Sequence, residues 1–184
     1  SFRNDIIIRG GSPNENGFYL DGIEVPNINH FSTQGSSGGP VGLINVDLIE
    51  NVDFISAAFP ANRGNVLSSV FEFSQKRPNK EKVNTSLTLG SSDLALLIDA
   101  PISKNSGLIF SARKSYLQFL FKALQLPFLP EYNDIQFKYV NKLSDKSELT
   151  IIGLGAIDDF SINREANEGV EDLATIERNQ YILD

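Results

Sequence analysis

The chain has no cysteine, which excludes disulfides, thiolate zinc sites and cysteine nucleophiles. It has a single histidine, His30, which excludes multi-histidine metal centres. No run of about 18 or more apolar residues occurs, so no transmembrane helix is expected. The longest apolar cluster, Tyr116 to Leu129, is broken by Gln118, Lys122, Gln125 and Pro127. Basic side chains are outnumbered, 16 against 23 acidic ones, for a formal net charge of −7. That balance argues against nucleic acid, which requires a basic stripe. No block of Lys or Arg suggests an anionic lipid surface either. These absences leave β-barrel strands open, because their apolar signal is much weaker than that of a spanning helix. The chain opens at Ser1 with no leader-like segment and stops at Tyr181-Ile182-Leu183-Asp184, which reads as the start of a strand. Both ends therefore read as cut from something longer.

Two compositions meet near residue 78. Residues 1–78 are rich in Gly, Asn and Pro, with short apolar bursts. Asp5-Ile6-Ile7-Ile8-Arg9 reads as a short strand ended by Gly10-Gly11, and Gly17-Phe18-Tyr19-Leu20 as a second. Asp21-Gly22 is a strong hairpin turn, after which Ile23-Glu24-Val25 runs to Pro26, where pairing stops. Residues 27–42 read as a loop with His30 inside it, Val46 to Ile49 as one helical turn, and Val52 to Ile55 and Ser69 to Lys76 as further strands. The expected unit is small and α+β, with a thin core.

Residues 80–184 alternate. Val83, Thr85, Leu87 and Leu89 share one face; Leu94, Leu96, Ile98 and Ile102 share the next, opposite Asp99. Leu108, Phe110 and Ala112 alternate with Ile109, Ser111 and Arg113. Ile135, Phe137, Tyr139 and Leu143 alternate with Asp134, Gln136, Lys138 and Lys142, and residues 146–156 form a fifth strand. These strands of roughly 7–11 residues approach the length that crosses a bilayer at a tilt. Short turns at 103–107 and 144–146 fall on one end. The long excursions, 114–132 and from Ile157 onward, fall on the other, with the short link 90–93 the exception. Outer-membrane barrels have that asymmetry. A soluble antiparallel sheet with one buried face carries the same alternation.

Three ordered segments resemble the plug of TonB-dependent receptors. Asp5-Ile6-Ile7-Ile8-Arg9-Gly10-Gly11 is similar to the family's strand ending in Ile-Arg-Gly. Phe18-Tyr19-Leu20-Asp21-Gly22-Ile23-Glu24-Val25-Pro26 is similar to its Leu-Asp-Gly-Val-Pro hairpin. Ile49-Glu50-Asn51-Val52-Asp53-Phe54, Phe59-Pro60-Ala61-Asn62-Arg63-Gly64 and Ser69-Val70 are similar to its Ile-Glu-x-Val-Glu-Val strand, its Tyr-Gly and its closing strand. The Phe-Pro-Ala variant resembles forms common in Bacteroidota. Ser56-Ala57 departs from the family's usual Arg-Gly, and Arg63 stands where an aromatic is usual.

The resemblance implies an α+β plug domain over 1–78, followed over 80–184 by antiparallel strands of a truncated transmembrane β-barrel, whose full form has about 22 strands. It implies an outer-membrane receptor for active uptake of a nutrient (siderophore, glycan or peptide), with no covalent chemistry and no cofactor. Expected partners are the TonB energy-coupling complex, through a segment absent here, an extracellular ligand, outer-membrane lipid and a surface lipoprotein. Arg9, Gly10, Gly11, Asp21, Gly22, Glu50, Arg63 and Gly64 are the expected plug-motif positions, with structural or gating roles. His30, Gln34, Ser36 and Ser37 mark the candidate ligand-contact loop, and 114–132 and 157–180 are further candidates.

Other readings compete. One is a soluble β-rich ligand-binding module of the cell envelope. Another is a hydrolase, because Gly35-Ser36-Ser37-Gly38-Gly39-Pro40 approaches a serine-protease signature and fits Gly-x-Ser-x-Gly. A nucleophilic Ser37 needs a histidine base oriented by an acid. His30, seven residues earlier, is too close in sequence for the protease arrangement, and no histidine follows Ser37. Asp158, Asp159, Glu165, Glu168, Glu171 and Asp172 form an acidic stretch without calcium-loop spacing, expected to be a solvated loop face. His30 itself is expected to be a loop hydrogen-bonder rather than a metal ligand.

Overall fold

A computed structural model describes residues 5–32, 38–39 and 41–167. Within 5–78 the chain forms a four-stranded mixed sheet ordered β2-β1-β6-β5. Its strands are β1 (Asn16–Leu20), β2 (Ile23–Glu24), β5 (Ile49–Ile55) and β6 (Ser69–Gln75). A two-stranded ribbon of β3 (Asn29–His30) and β4 (Val41–Gly42) sits apart from it. Residues 29–30 and 41–42, expected to lie in a loop, thus pair as a minimal ribbon, with Asn29 facing Gly42 and His30 facing Val41.

Asp21 and Gly22 both take left-handed backbone angles, φ 48° and 84°, and close the β1–β2 hairpin in the two-residue turn that the Asp-Gly pair favours. A Gly22→Ala substitution meets no steric neighbour but places a Cβ in that conformation. Its expected cost is about 1–2 kcal/mol, read as a lowered urea midpoint at unchanged slope. β1 and β6 run parallel at the centre and bury Phe18, Tyr19, Leu20 and Val70. Phe18, Phe71 and Phe54 form one cross-strand aromatic row, with centroids 5.5 and 4.9 Å apart.

Two expectations fail here. Asp5–Arg9 forms no strand: the backbone turns at Arg9 (φ 53°) and Gly10 (φ 75°), with Gly11 N–H bonded to Ile8 O. The α+β label fails as well. Among the described residues of this part the helical pieces are single 3-10 turns, Pro13–Glu15 and Val46–Leu48, each continued at once by extended chain. The Asn45 side chain caps the second turn by accepting from Asp47 N–H, and Leu48 anchors it in the core.

Residues 84–162 build a five-stranded antiparallel meander ordered β11-β10-β9-β8-β7. The strands are β7 (Asn84–Leu89), β8 (Asp93–Pro101), β9 (Ser106–Ser115), β10 (Phe128–Ser144) and β11 (Ser147–Ile162). The turn positions agree with the sequence reading. The strand lengths do not: β10 and β11 run 17 and 16 residues, past the expected 7–11. The long excursion between β9 and β10 is accordingly shorter than 114–132, and it carries helix α1 (Leu117–Ala123). Asp158, expected on a solvated loop, is a strand residue of β11.

Register sorts the meander's side chains into two faces. In one row, Asp99, Ile109, Lys138 and Ile152 are neighbours; in the next, Leu97, Ser111, Gln136 and Leu154; in the third, Ala95, Arg113, Asp134 and Ala156. These rows face the small sheet and its ribbon: Ser111, Asp134 and Gln136 are essentially buried. The opposite face holds Ile98, Phe110, Phe137 and Gly153 in one row and Leu96, Ala112, Ile135 and Gly155 in another. Phe137 lies across Gly153, where an added Cβ would strike its ring. Ile135, Leu143, Leu149, Ile151 and Ile157 on this face are exposed. On β9 and β10 the face that carries Ser111, Arg113, Asp134, Gln136 and Lys138 is therefore covered, and the face that carries Phe110, Ile135 and Phe137 is the more open one.

Candidate functional site

The seam between the small sheet and the meander is where ionisable side chains converge. His30 sits at its centre with 1% of its surface exposed. Its Nε2 lies 3.1 Å from Asp134 Oδ2 on β10, and its Nδ1 lies 2.6 Å from Asp158 Oδ1 on β11. The other Asp158 oxygen accepts from the Phe31 backbone N–H at 2.8 Å, holding Phe31 at φ 55°. Asp134 also receives the Arg113 guanidinium, Nε standing 3.1 and 2.9 Å from its two oxygens. Arg113 then donates through Nη2 to the carbonyls of Gly42 and Leu43, at 2.8 and 2.7 Å. Tyr132 stacks on the imidazole, centroids 4.3 Å apart.

Burial is the largest single influence on His30, and it disfavours the charged ring. The hydrogen bonds to Asp134 and Asp158 and their negative charges outweigh it, so its pKa is raised above the ordinary histidine value. The protonated cluster is balanced, two cations against two carboxylates.

Further down the seam the contacts continue. Asn45 Nδ2 donates to Ser111 Oγ at 2.7 Å, and Gln136 Nε2 donates to Leu43 O at 2.7 Å. Lys138 Nζ reaches Asp21 Oδ2 at 2.9 Å and Gln75 O at 3.1 Å. Arg77 pairs with Glu148 near the β10–β11 turn. The meander thus presents polar side chains, and the smaller unit answers with the carbonyls of Gly42, Leu43 and Gln75 and the side chains of Asp21, His30, Asn45 and Arg77.

The sequence-expected residues scatter across this geometry. Asp21 joins the seam, accepting from Gln75 N–H at 2.9 Å besides its pair with Lys138. Gly22 serves the hairpin turn. Arg9, Gly10 and Gly11 line an open cleft with Ser56, Ala57, Leu67 and Ser68, away from the seam. Glu50 is exposed at an irregularity in the β5–β6 ladder. Arg63 stays within the small sheet, its Nε 2.5 Å from Glu72 and its guanidinium 4.4 Å from the Tyr19 ring centre. Gly64 is exposed with open space around it. Gln34, Ser36 and Ser37 lie outside the described residues.

His30 forms two side-chain hydrogen bonds, as a loop hydrogen-bonder should. With both nitrogens occupied and the ring buried, however, it presents nothing to an incoming ligand and has no free nitrogen to act as a base for Ser37. Among the described residues no group of three or more His, Asp or Glu is arranged to hold a metal ion. Sequence reasoning missed Asp134, Asp158 and Tyr132 as partners of His30, and Arg113 as the second partner of Asp134. It had placed Asp134, Gln136 and Lys138 on one face of a strand, which was the available signal.

At the end of the meander that carries α1, aromatic rings form a continuous file. Phe121 meets Phe128 at 5.5 Å, Phe128 stacks on Phe160 at 5.2 Å, and Phe160 meets Phe31 at 6.4 Å. Phe31 in turn meets Tyr132 at 6.3 Å.

No protein-family model matches the chain. No curated protein matches it either. Among solved structures, the chain is similar to the pyoverdine outer membrane receptor FpvA from Pseudomonas aeruginosa PAO1, determined bound to pyoverdine, with a TM-score of 0.58 at 17% identity. The match covers 87% of this chain and 23% of that one, so the chain spans about a quarter of the receptor's length. At that identity the likeness is one of fold, and the protein whose fold it shares is a receptor rather than an enzyme.

Proposed function

We propose that the chain is part of a TonB-dependent outer-membrane receptor, with residues 1–78 the later portion of its plug and 80–184 the first strands of its barrel. The observation that carries this reading is the inverted meander. Its covered face holds Arg113, Asp134, Gln136 and Lys138, and its open face holds Leu96, Phe110, Ile135 and Phe137. A soluble sheet buries the opposite set. A barrel wall around a plug needs this one, because lipid lies outside and a polar lumen inside.

The open face is also bounded as a lipid band would be. Lys114, Glu131 and Asn133 form a polar cluster at one end, Lys114 Nζ lying 3.3 Å from Glu131 Oε1. From Ile135 to Leu143 the strand rises roughly 26 Å, or roughly 20 Å after barrel tilt, near the height of an outer-membrane apolar band. Beyond the polar cluster, β10, β11 and α1 project on the long-excursion side, which is extracellular in this class. Ligand contact is assigned to the aromatic file there, together with the 32–42 loop and the segments 114–132 and 157–180. Transport requires that the wall release the plug when the TonB complex pulls, and the seam is polar enough to exchange its bonds for water. The nutrient is a siderophore, glycan or peptide.

The test is electrophoresis of the intact protein from detergent-extracted membranes, boiled and unboiled, detected with antibody to residues 1–78. A large outer-membrane band whose mobility changes on boiling is expected. A small soluble band unchanged by boiling would replace this reading with the soluble binding module.

A further inference from the structure

We propose that His30 is a proton-dependent clasp: doubly protonated, it ties the ribbon to β10 and β11 at once, and on losing a proton it lets go of β10. The clasp stands on the chain's own geometry and goes beyond the receptor reading.

The imidazole is held between two carboxylates, one on each nitrogen. A carboxylate is an acceptor only, so both contacts require an N–H, and only the imidazolium has two. Neutral histidine keeps one. The retained proton belongs on Nδ1, because among the described residues Asp158 has no other side-chain cation as a partner and otherwise accepts from the Phe31 N–H. Asp134 keeps Arg113 whatever His30 does. A bare Nε2 would then face Asp134 Oδ2 at 3.1 Å, lone pair against lone pair.

The rest of the surroundings favour the cation. The Tyr132 ring stacks on the imidazole, and Asp93 of β8 acts on the Tyr132 hydroxyl by charge and hydrogen bond. Among the described residues Arg113 of β9 is the opposing cation in the cluster, and it is already engaged by Asp134 and two carbonyls. The neighbours of His30 on its own ribbon, Asn29, Phe31 and Val41, carry no charge.

The sign follows from the raised pKa of the bound histidine. The clasp is fully present below the ordinary histidine value and is lost as pH rises through the raised value. Its strength changes about tenfold for each unit by which the bound ring's titration point exceeds the free one.

The experiment follows His30 C2–H exchange and the amide protection factors of residues 27–32 and 41–45 by mass spectrometry, from pH 5 to 9, in the full-length protein as isolated. His30 is expected to titrate above an ordinary histidine, and protection of 27–32 to fall across that titration. In Asp134→Asn the amide can donate to a bare Nε2, so the fall is expected to shrink. In Asp158→Asn the titration point is expected to drop. Protection that stays flat through the His30 titration would overturn the clasp, as would a titration at or below the ordinary value. Because the wild-type protein alone yields both readouts, a variant that fails to fold leaves the test intact.

Discussion

Replacing Asp134 with alanine is expected to destabilise the docking of the 27–45 segment by about 3–5 kcal/mol, the range for breaking a buried ion pair from one side. Asp134 is 2% exposed and serves two cations, His30 and Arg113. Its removal leaves Arg113 beside the carbonyls of Gly42 and Leu43 with no counter-charge. It leaves His30 with Asp158 alone. The loss is therefore larger than what the intact cluster contributes, because desolvation of these charges already offsets much of their attraction. The measurement is the denaturant midpoint for exposure of 27–45, followed by residue-resolved amide exchange in the intact protein. Removing Asp134 and Arg113 together should recover part of the loss, since the double variant no longer strands a charge. A single-variant effect below about 1 kcal/mol would place Asp134 in the class of surface pairs and contradict the burial described here.

Much of this seam was half-legible. The period-2 pattern placed Asp134, Gln136 and Lys138 on one face and Ile135, Phe137 and Tyr139 on the other, and the structure keeps that division. Alternation cannot say which face is covered, because a soluble sheet and a barrel wall share the same period. That was decided by what packs against the strand. The pairing of His30 with Asp134 and Asp158 was out of reach, since the partners lie 104 and 128 residues away and no local rule links them. Asp158 was lost for a further reason. A strand of 16 residues runs past the alternating stretch, and its last turn of sequence looked like a loop because it is acidic.

Local chemistry was read better where the residues themselves carry the constraint. Asp21-Gly22 demanded a left-handed turn and made one. Asp5–Arg9 had the apolar residues of a strand but found no ladder, and Asn16 Nδ2 took the Ile6 carbonyl instead at 2.7 Å. Strand propensity is realised only beside a partner.

Placing a lysine at Phe110 separates the two surviving accounts of the open face. Phe110 lies in the middle row of that face, between Ile98 on β8 and Phe137 on β10. If the face meets lipid, a charge there is expected to cost about 2–4 kcal/mol, the range for Lys or Arg near a bilayer midplane. A lysine at Leu143, at the edge of the band and beside the short β10–β11 turn, is expected to cost about 0–1 kcal/mol, as near an interface. The readout is the denaturant midpoint of the protein folded into vesicles, with both variants measured against wild type. Depth dependence is the discriminating feature. In water the lysine ammonium at Phe110 would remain solvated, the apolar ring it replaces being only half covered, and the two variants would differ little. A steep difference between them ties the apolar face to a hydrocarbon layer. Equal, small effects would leave the inverted faces without a membrane to explain them and would return the meander to the soluble alternative.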